Sequence, residues 1–153
     1  MKVTPQWFVL CEQVLRDAGT QQLTLVNCLE QVSATSFPAH HPRFAFAAQF
    51  TCDAPPEHDR KVTYRFVRRG EEGEEEQVAE IQGVWPTTTR IARVYLNFHI
   101  LRLRRPETLA FRLDYQVDRG RWHRGPTAEL VSQHLPLPPE ARAELEARIK
   151  ALE

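Results

Sequence analysis

Four stretches of this chain place apolar residues at every second position, a period that a strand can bury on one face and a helix cannot. In the cleanest, Phe44, Phe46, Ala48 and Phe50 share a face. Val62, Tyr64 and Phe66 alternate with Lys61, Thr63 and Arg65. Ala92, Val94, Leu96, Phe98 and Ile100 alternate with Arg93, Tyr95, Asn97 and His99, and Leu109 to Val117 repeats the pattern against Arg112, Asp114 and Gln116. Gln77 to Trp85 is a weaker version. Turn chemistry separates these runs at Ala54-Pro55-Pro56, Arg69 to Glu76, Pro86 to Thr89, Pro106-Glu107 and Asp118-Arg119-Gly120. The connections are too short to hold crossover helices, so neighbouring strands pair antiparallel. The pattern predicts an all-β, antiparallel β-sandwich of seven or eight strands, Ig-like or jelly-roll-like, with a closed β-barrel as the alternative.

The ends of the chain complete that expectation. Trp7 to Leu15 and Leu23 to Val32 read as a hairpin around Asp17-Ala18-Gly19-Thr20. A four-residue loop centred on Gly19 puts Leu15 opposite Thr24 and Cys11 opposite Cys28. Ser33 to Pro42 reads as a loop, because Pro38 and Pro42 bring no N–H to a ladder; Phe37 is expected to plug the end of the sandwich. A last strand from Trp122 is interrupted at Gly125-Pro126 before Ala128 to Val131. After Pro138-Pro139 the composition turns to helix formers, with Leu145, Ile149 and Leu152 forming a narrow apolar stripe. The division is a β-sandwich domain over residues 1–137 and a helical tail over 138–153.

Composition limits function more than it directs it. The 153 residues carry 20 basic and 20 acidic side chains, so net charge draws the whole protein neither to nucleic acid nor to a membrane. No apolar run approaches the ~18 residues of a membrane-spanning helix. The first residues lead straight into a run that carries Glu12 and Arg16, unlike a secretory signal, and the expected location is the cytoplasm. Arginine nearly replaces lysine, which with the alanines and prolines reads as a GC-rich bacterial composition. Three cysteines without a Cys-x-x-Cys pair are expected to be reduced, packed thiols, Cys52 being the most exposed at its strand end.

Phe8-Val9-Leu10-Cys11-Glu12, Val14-Leu15-Arg16-Asp17, Leu23-Thr24-Leu25-Val26-Asn27 and Ser36-Phe37-Pro38-Ala39-His40-His41-Pro42 together carry a resemblance. The chain resembles a family of small bacterial proteins of unknown function. Its members open with a hairpin of the form L-C-[DE]-x-V-x-x-D and continue through an S-F-P-A-x-H-P loop into an alternating aromatic strand. The similarity covers the first half most closely and reaches the Val131 region. It departs where Arg105 to Phe111 replaces a glycine-rich G-x-Y-x-F approach, and the tail has no counterpart. The resemblance implies a compact β-sandwich and carries no activity over.

No nucleophile elbow, phosphate loop or zinc-protease motif is present, and the serines number three: Ser33, Ser36 and Ser132. The reading is therefore non-enzymatic, without cofactor. His40 and His41 invite a metal, but adjacent side chains seldom share one ion and no acidic or thiol cluster adjoins them in sequence, so no metal site is assigned. Tyr95, His99, Arg102, Arg104, Trp122, Leu145, Ile149 and Leu152 are the candidate interaction surface, with Trp7 and Trp85 as further aromatic anchors. The partner expected is a protein, either a second copy or a product of the same operon. The rival is a nucleic-acid binder using the arginine-rich strands of residues 90–124, where guanidinium groups interleave with Tyr95, His99 and Trp122.

Overall fold

Each alternating run becomes a strand. The computed structural model describes residues 1–151, which form ten strands and one helix. The strands are β1 (Val3–Arg16), β2 (Leu23–Cys28), β3 (Gln31–Ala34), β4 (Ala39–Cys52), β5 (Arg60–Arg69), β6 (Glu75–Trp85), β7 (Ile91–Leu103), β8 (Glu107–Val117), β9 (Trp122–His123) and β10 (Thr127–His134). The helix, α1, spans Pro139–Lys150. One sheet has the order β2-β1-β4-β7; the other has β3-β10-β8-β5-β6, with β9 against β8. Pairing is antiparallel except between β3 and β10. The two sheets form a sandwich. Among the described residues no ladder joins β7 to β6 or β2 to β3, so the barrel alternative falls.

The alternation explains the core. Phe44, Phe46 and Phe50 face inward from β4, and Tyr64, Phe66, Phe111, Leu113 and Tyr115 meet them from the second sheet, all buried. The rings of Phe46 and Phe66 stack 4.4 Å apart, and Phe66 lies 5.3 Å from Phe111. Such pairs contribute about 0.5–1.5 kcal/mol each beyond the area they bury.

The first hairpin has the expected register, with Cys11 facing Cys28 and Leu15 facing Thr24, but its return strand ends at Cys28 rather than Val32, because the chain crosses at Leu29–Glu30 into β3 of the other sheet. Its turn is built by Asp17, whose carboxylate accepts from the Gly19 and Thr20 backbone N–H groups at 3.0 and 2.6 Å. What alternation does not predict is the path of β1. It pairs with β4 only as far as Cys11 opposite Ala45. Beyond that point the Val14 N–H donates to Asn97 Oδ1 at 2.8 Å, and Asn97 Nδ2 donates to the Val14 carbonyl at 3.1 Å. An amide side chain on β7 thus takes the place of a strand partner. The hairpin turns over the outer face of the first sheet, where Ala45 and Ala47 are fully buried and Leu23, Leu25 and Tyr95 pack around them.

Three further expectations need correction. Ser33 to Pro42 is not a loop throughout: β3 covers its start, and β4 begins at Ala39 with Pro42 paired opposite Ile100. A proline fits there because β1 has already left, so that end of β4 is a sheet edge on one side. Phe37, which precedes a cis Pro38, does pack against the core. The strand total exceeds seven or eight because two short strands, β3 and β9, complete the second sheet. Cys52, finally, is buried with its thiol 3.6 Å from the Arg90 carbonyl, whereas Cys28 is exposed.

The break between β9 and β10 has a steric cause. A Cβ at Gly125 would collide with the Leu113 carbonyl. The Gly125 N–H also donates to Asp114 Oδ1 at 3.1 Å. The tail forms its helix, with no buried residue among those described and with Leu145 and Ile149 exposed.

Candidate functional site

The two long sides of the sandwich differ. On one, the chain steps directly from the first sheet to the second through Leu29 and Glu30. The Leu29 N–H donates to Leu10 O at 2.8 Å in one sheet, and the Val131 N–H donates to Glu30 O at 2.9 Å in the other. On the opposite side β6 and β7 are both edge strands. The chain joins them only at one end, through Pro86 to Arg90, where Trp85 Nε1 donates to Thr89 O at 3.0 Å. The rest of that side is an open seam.

Two clefts occupy the seam. The larger, about 740 Å³, reaches inward to Val62, Tyr64, Ile81, Gly83, Ala92 and Val94. It exists because two inward positions are small: a Cβ on Gly83 would meet nothing within 4 Å, and Ala92 contributes a single methyl. Arg16 and Gln21 from the hairpin end and Arg93 from β7 stand at its rim, Arg93 Nε donating to Gln49 Oε1 at 3.0 Å. Burial pushes the Tyr64 phenol pKa above its ordinary value, so it stays protonated. The smaller cleft, about 330 Å³, has Phe44, Phe98 and Phe111 as its floor and Arg68, Glu76, Val78, Ile100 and Arg102 around it. Arg68 crosses between the sheets and donates to the Arg102 carbonyl at 2.8 Å. Burial lowers the Arg68 pKa, and Glu107 at 3.9 Å works against that.

The edge strands beside these clefts carry exposed aliphatic side chains. Val78 and Val84 on β6 are 38% and 61% exposed, and Ile91 and Ile100 on β7 are 42% and 55% exposed. Unpaired edges with exposed aliphatics invite a further strand. The charges are sorted as well. Glu75, Glu76 and Glu80 belong to β6, while Arg93 and Arg102 belong to β7 with Arg90 and Arg104 at its ends.

The predicted surface residues do not gather in one place. Arg102 lines the smaller cleft, His99 is exposed on β7 and Arg104 is exposed just past its end. Tyr95 packs on the outer face of the first sheet beneath the hairpin. Trp122 lies on the outer face of the second sheet, with the Arg65 guanidinium 4.3 Å from its ring centre. Leu145 and Ile149 stand on the tail, and Leu152 lies outside the described residues. Of the other tryptophans, Trp85 is a core residue at 1% exposure, and Trp7 packs with the hairpin cluster. Sequence reasoning passed over Gly83, Val78, Val84, Ile91 and Arg16. Gly83 was the readable signal, because a glycine inside a strand often marks a place where something else approaches.

Other charged groups form ion pairs outside the two clefts. Arg105 meets Glu72 at 2.7 Å, and Arg112 reaches Asp114 at 2.8 Å and Glu75 at 2.9 Å. Burial alone would raise the Asp114 pKa, but hydrogen bonds from Arg112, the Gly125 N–H and Arg65 hold it below the usual carboxylate range. His41 lies 3.8 Å from Glu12. Among the described residues no group of three or more His, Cys, Asp or Glu side chains is arranged to hold a metal, and no helix is long and apolar enough to cross a membrane.

Residues 6–119 match DUF6941, a family of unknown function. The chain belongs to this family. The match runs from within β1, at residue 6, through β8, and hence takes in the opening hairpin, both edge strands and both clefts. The last two strands and the helical tail lie beyond the part of the chain that matches DUF6941. No curated protein matches the chain.

Proposed function

We propose that the protein is a non-enzymatic interaction module that joins a second copy of itself edge to edge along β6 and β7. The observation that carries this reading is the pair of unpaired, oppositely charged edges on one side of the sandwich. Residues 76–78 of β6 share a cleft with residues 98–102 of β7, and residues 81–84 share one with residues 91–95. The two strands therefore run in opposite directions at matched levels. Turning a second copy about an axis parallel to the strands sets β7 of one against β6 of the other, antiparallel and twice over. Glu76 of each copy then lies level with Arg102 of the other, and the exposed valines of β6 meet the exposed isoleucines of β7. A β7-to-β7 pairing would oppose arginine to arginine, which disfavours it.

Light scattering at micromolar concentration tests the assembly, with a two-chain mass expected. Glu76→Arg and Arg102→Glu should each shift the protein toward one-chain mass. The double variant, which restores opposite signs across the contact, should recover dimer. A one-chain mass for the unaltered protein overturns the reading. The nucleic-acid alternative lacks a shared surface, since Tyr95 and Trp122 occupy opposite faces of the sandwich. Salt-dependent retention of single-stranded DNA or RNA in a gel-shift titration would favour it instead.

A further inference from the structure

The opening hairpin brings two thiols together outside the edge strands β6 and β7. Cys11 and Cys28 are direct cross-strand partners, and both are free. The neighbouring pair is the hydrogen-bonded one, since the Leu29 N–H donates to Leu10 O at 2.8 Å. Cys11 and Cys28 therefore occupy a non-hydrogen-bonded site, where Cα atoms stand about 4.5 Å apart and side chains come closest. That separation lies within the roughly 4.4–6.8 Å found across disulfides. The two thiols differ in access: Cys11 is fully buried and its thiol donates to the Gln13 carbonyl at 3.5 Å, whereas Cys28 is exposed.

We propose that Cys11 and Cys28 are a thiol–disulfide exchange site, which closes reversibly into a cross-strand disulfide with a small disulfide of the glutathione class as oxidant. Exchange begins at the accessible thiol. The Cys28 thiolate attacks one sulfur of the oxidant, whose S–S bond breaks, giving a mixed disulfide on Cys28 and one released thiolate. The Cys11 thiolate then attacks the Cys28 sulfur, the mixed disulfide breaks and the second thiol leaves. The protein has lost two electrons and two protons, and the oxidant has become two thiols.

Unequal access sets the order of these steps. Burial and the adjacent Cys28 push the Cys11 pKa up to about 11, so an external reagent meets little thiolate there even where it could enter. Closing the bond must draw together Cβ atoms that a strand pair holds about 4.5–5.5 Å apart, against a mean of about 3.8 Å across a disulfide. The bond is therefore strained, which places it among the readily reduced disulfides. Cys52 takes no part, since it is buried with its thiol turned to the Arg90 carbonyl.

The test exposes the full chain to oxidised glutathione, alkylates the remaining thiols with iodoacetamide under denaturing conditions and maps the peptides by mass spectrometry. The expected product is two hydrogens lighter, carries no glutathione and links Cys11 to Cys28, with Cys52 alkylated. Reduced glutathione should restore the starting mass. Cys11→Ala should stop at a stable glutathione adduct on Cys28. Cys28→Ser, a change at an exposed position that leaves the fold intact, should abolish reaction. A lasting glutathione adduct on Cys28 of the unaltered protein overturns the proposal. So does full recovery of Cys11 and Cys28 as free thiols when Cys28 is shown to alkylate in the native state. The readout is a covalent mass within one chain, so it can be scored whether or not the protein dimerises.

Discussion

The side of the sandwich at Leu29–Glu30 and the side at β6 and β7 are made from the same materials and end differently. On the first, a two-residue step carries the chain between sheets, and backbone hydrogen bonds at Leu10 and Val131 stitch the step into both ladders. On the second, five residues cross at one end and the remaining edges stay unpaired. Closing a side depends on connection length and on the bulk of the residues that meet there. Val32 and Leu130 fill the stitched side, both buried, whereas Gly83 and Ala92 leave the open side hollow. The contrast separates a side closed by packing from one left open.

Substitution can test that contrast, and the largest effect belongs on the stitched side. Leu130→Ala empties a fully buried site and should lower stability by about 2–5 kcal/mol in urea unfolding. A loss under about 1 kcal/mol would mean that this side collapses freely and is not the rigid one. Next is Asn97→Ala, which takes the partner from both backbone groups of Val14. A loss of about 1–3 kcal/mol is expected, with faster amide exchange at Val14 as the local readout.

Gly83→Val works in the other direction. It adds side-chain bulk facing open space in a strand, and replacing a strand glycine should raise stability by about 0.5–1 kcal/mol. The same change fills part of the larger cleft and leaves the β6 backbone edge free, so the melting temperature should rise without loss of two-chain mass. A destabilised Gly83→Val would show that the cleft closes in solution.

The smallest effect is electrostatic and lies on neither side. The folded state holds the Asp114 carboxyl pKa below its unfolded value. Its contribution is therefore present above the unfolded pKa of about 3.9 and is lost as pH falls through the lower folded value. The urea midpoint should decline below about pH 4, and Asp114→Asn should flatten that decline. An unchanged acid limb in Asp114→Asn would assign the decline to other carboxylates.

Much of the fold was legible because strand burial has a period of two. Phe44, Phe46 and Phe50 could face only one way together, and Val62, Tyr64 and Phe66 could answer them only from another sheet. The hairpin register was legible for a related reason, since the Asp17 turn sets the loop length and the loop sets which residues face each other. The short strand β3 was not legible. It has four residues, and it pairs in parallel with β10, about a hundred positions away. The candidate site was hardest to see. Tyr95 and Trp122 have the composition of interface anchors, yet each is engaged by neighbours that no local pattern reveals: the returning hairpin in one case and Arg65 in the other.

The sequence by itself determined the all-β class, most inward faces (but not that of β7 past Phe98, where Leu101 and Leu103 rather than Ile100 are buried), the register of the first hairpin and the terminal helix. Each of these follows from chemistry within a few neighbouring residues. Only the tertiary structure decided that β1 leaves β4 to bond Asn97, that Ala45 and Ala47 lie beneath a hairpin, that Cys28 rather than Cys52 is exposed, and that β6 and β7 flank an open seam. Those features depend on which edges lie next to each other after the sheets stack, and contacts between residues far apart in the chain leave no period to read.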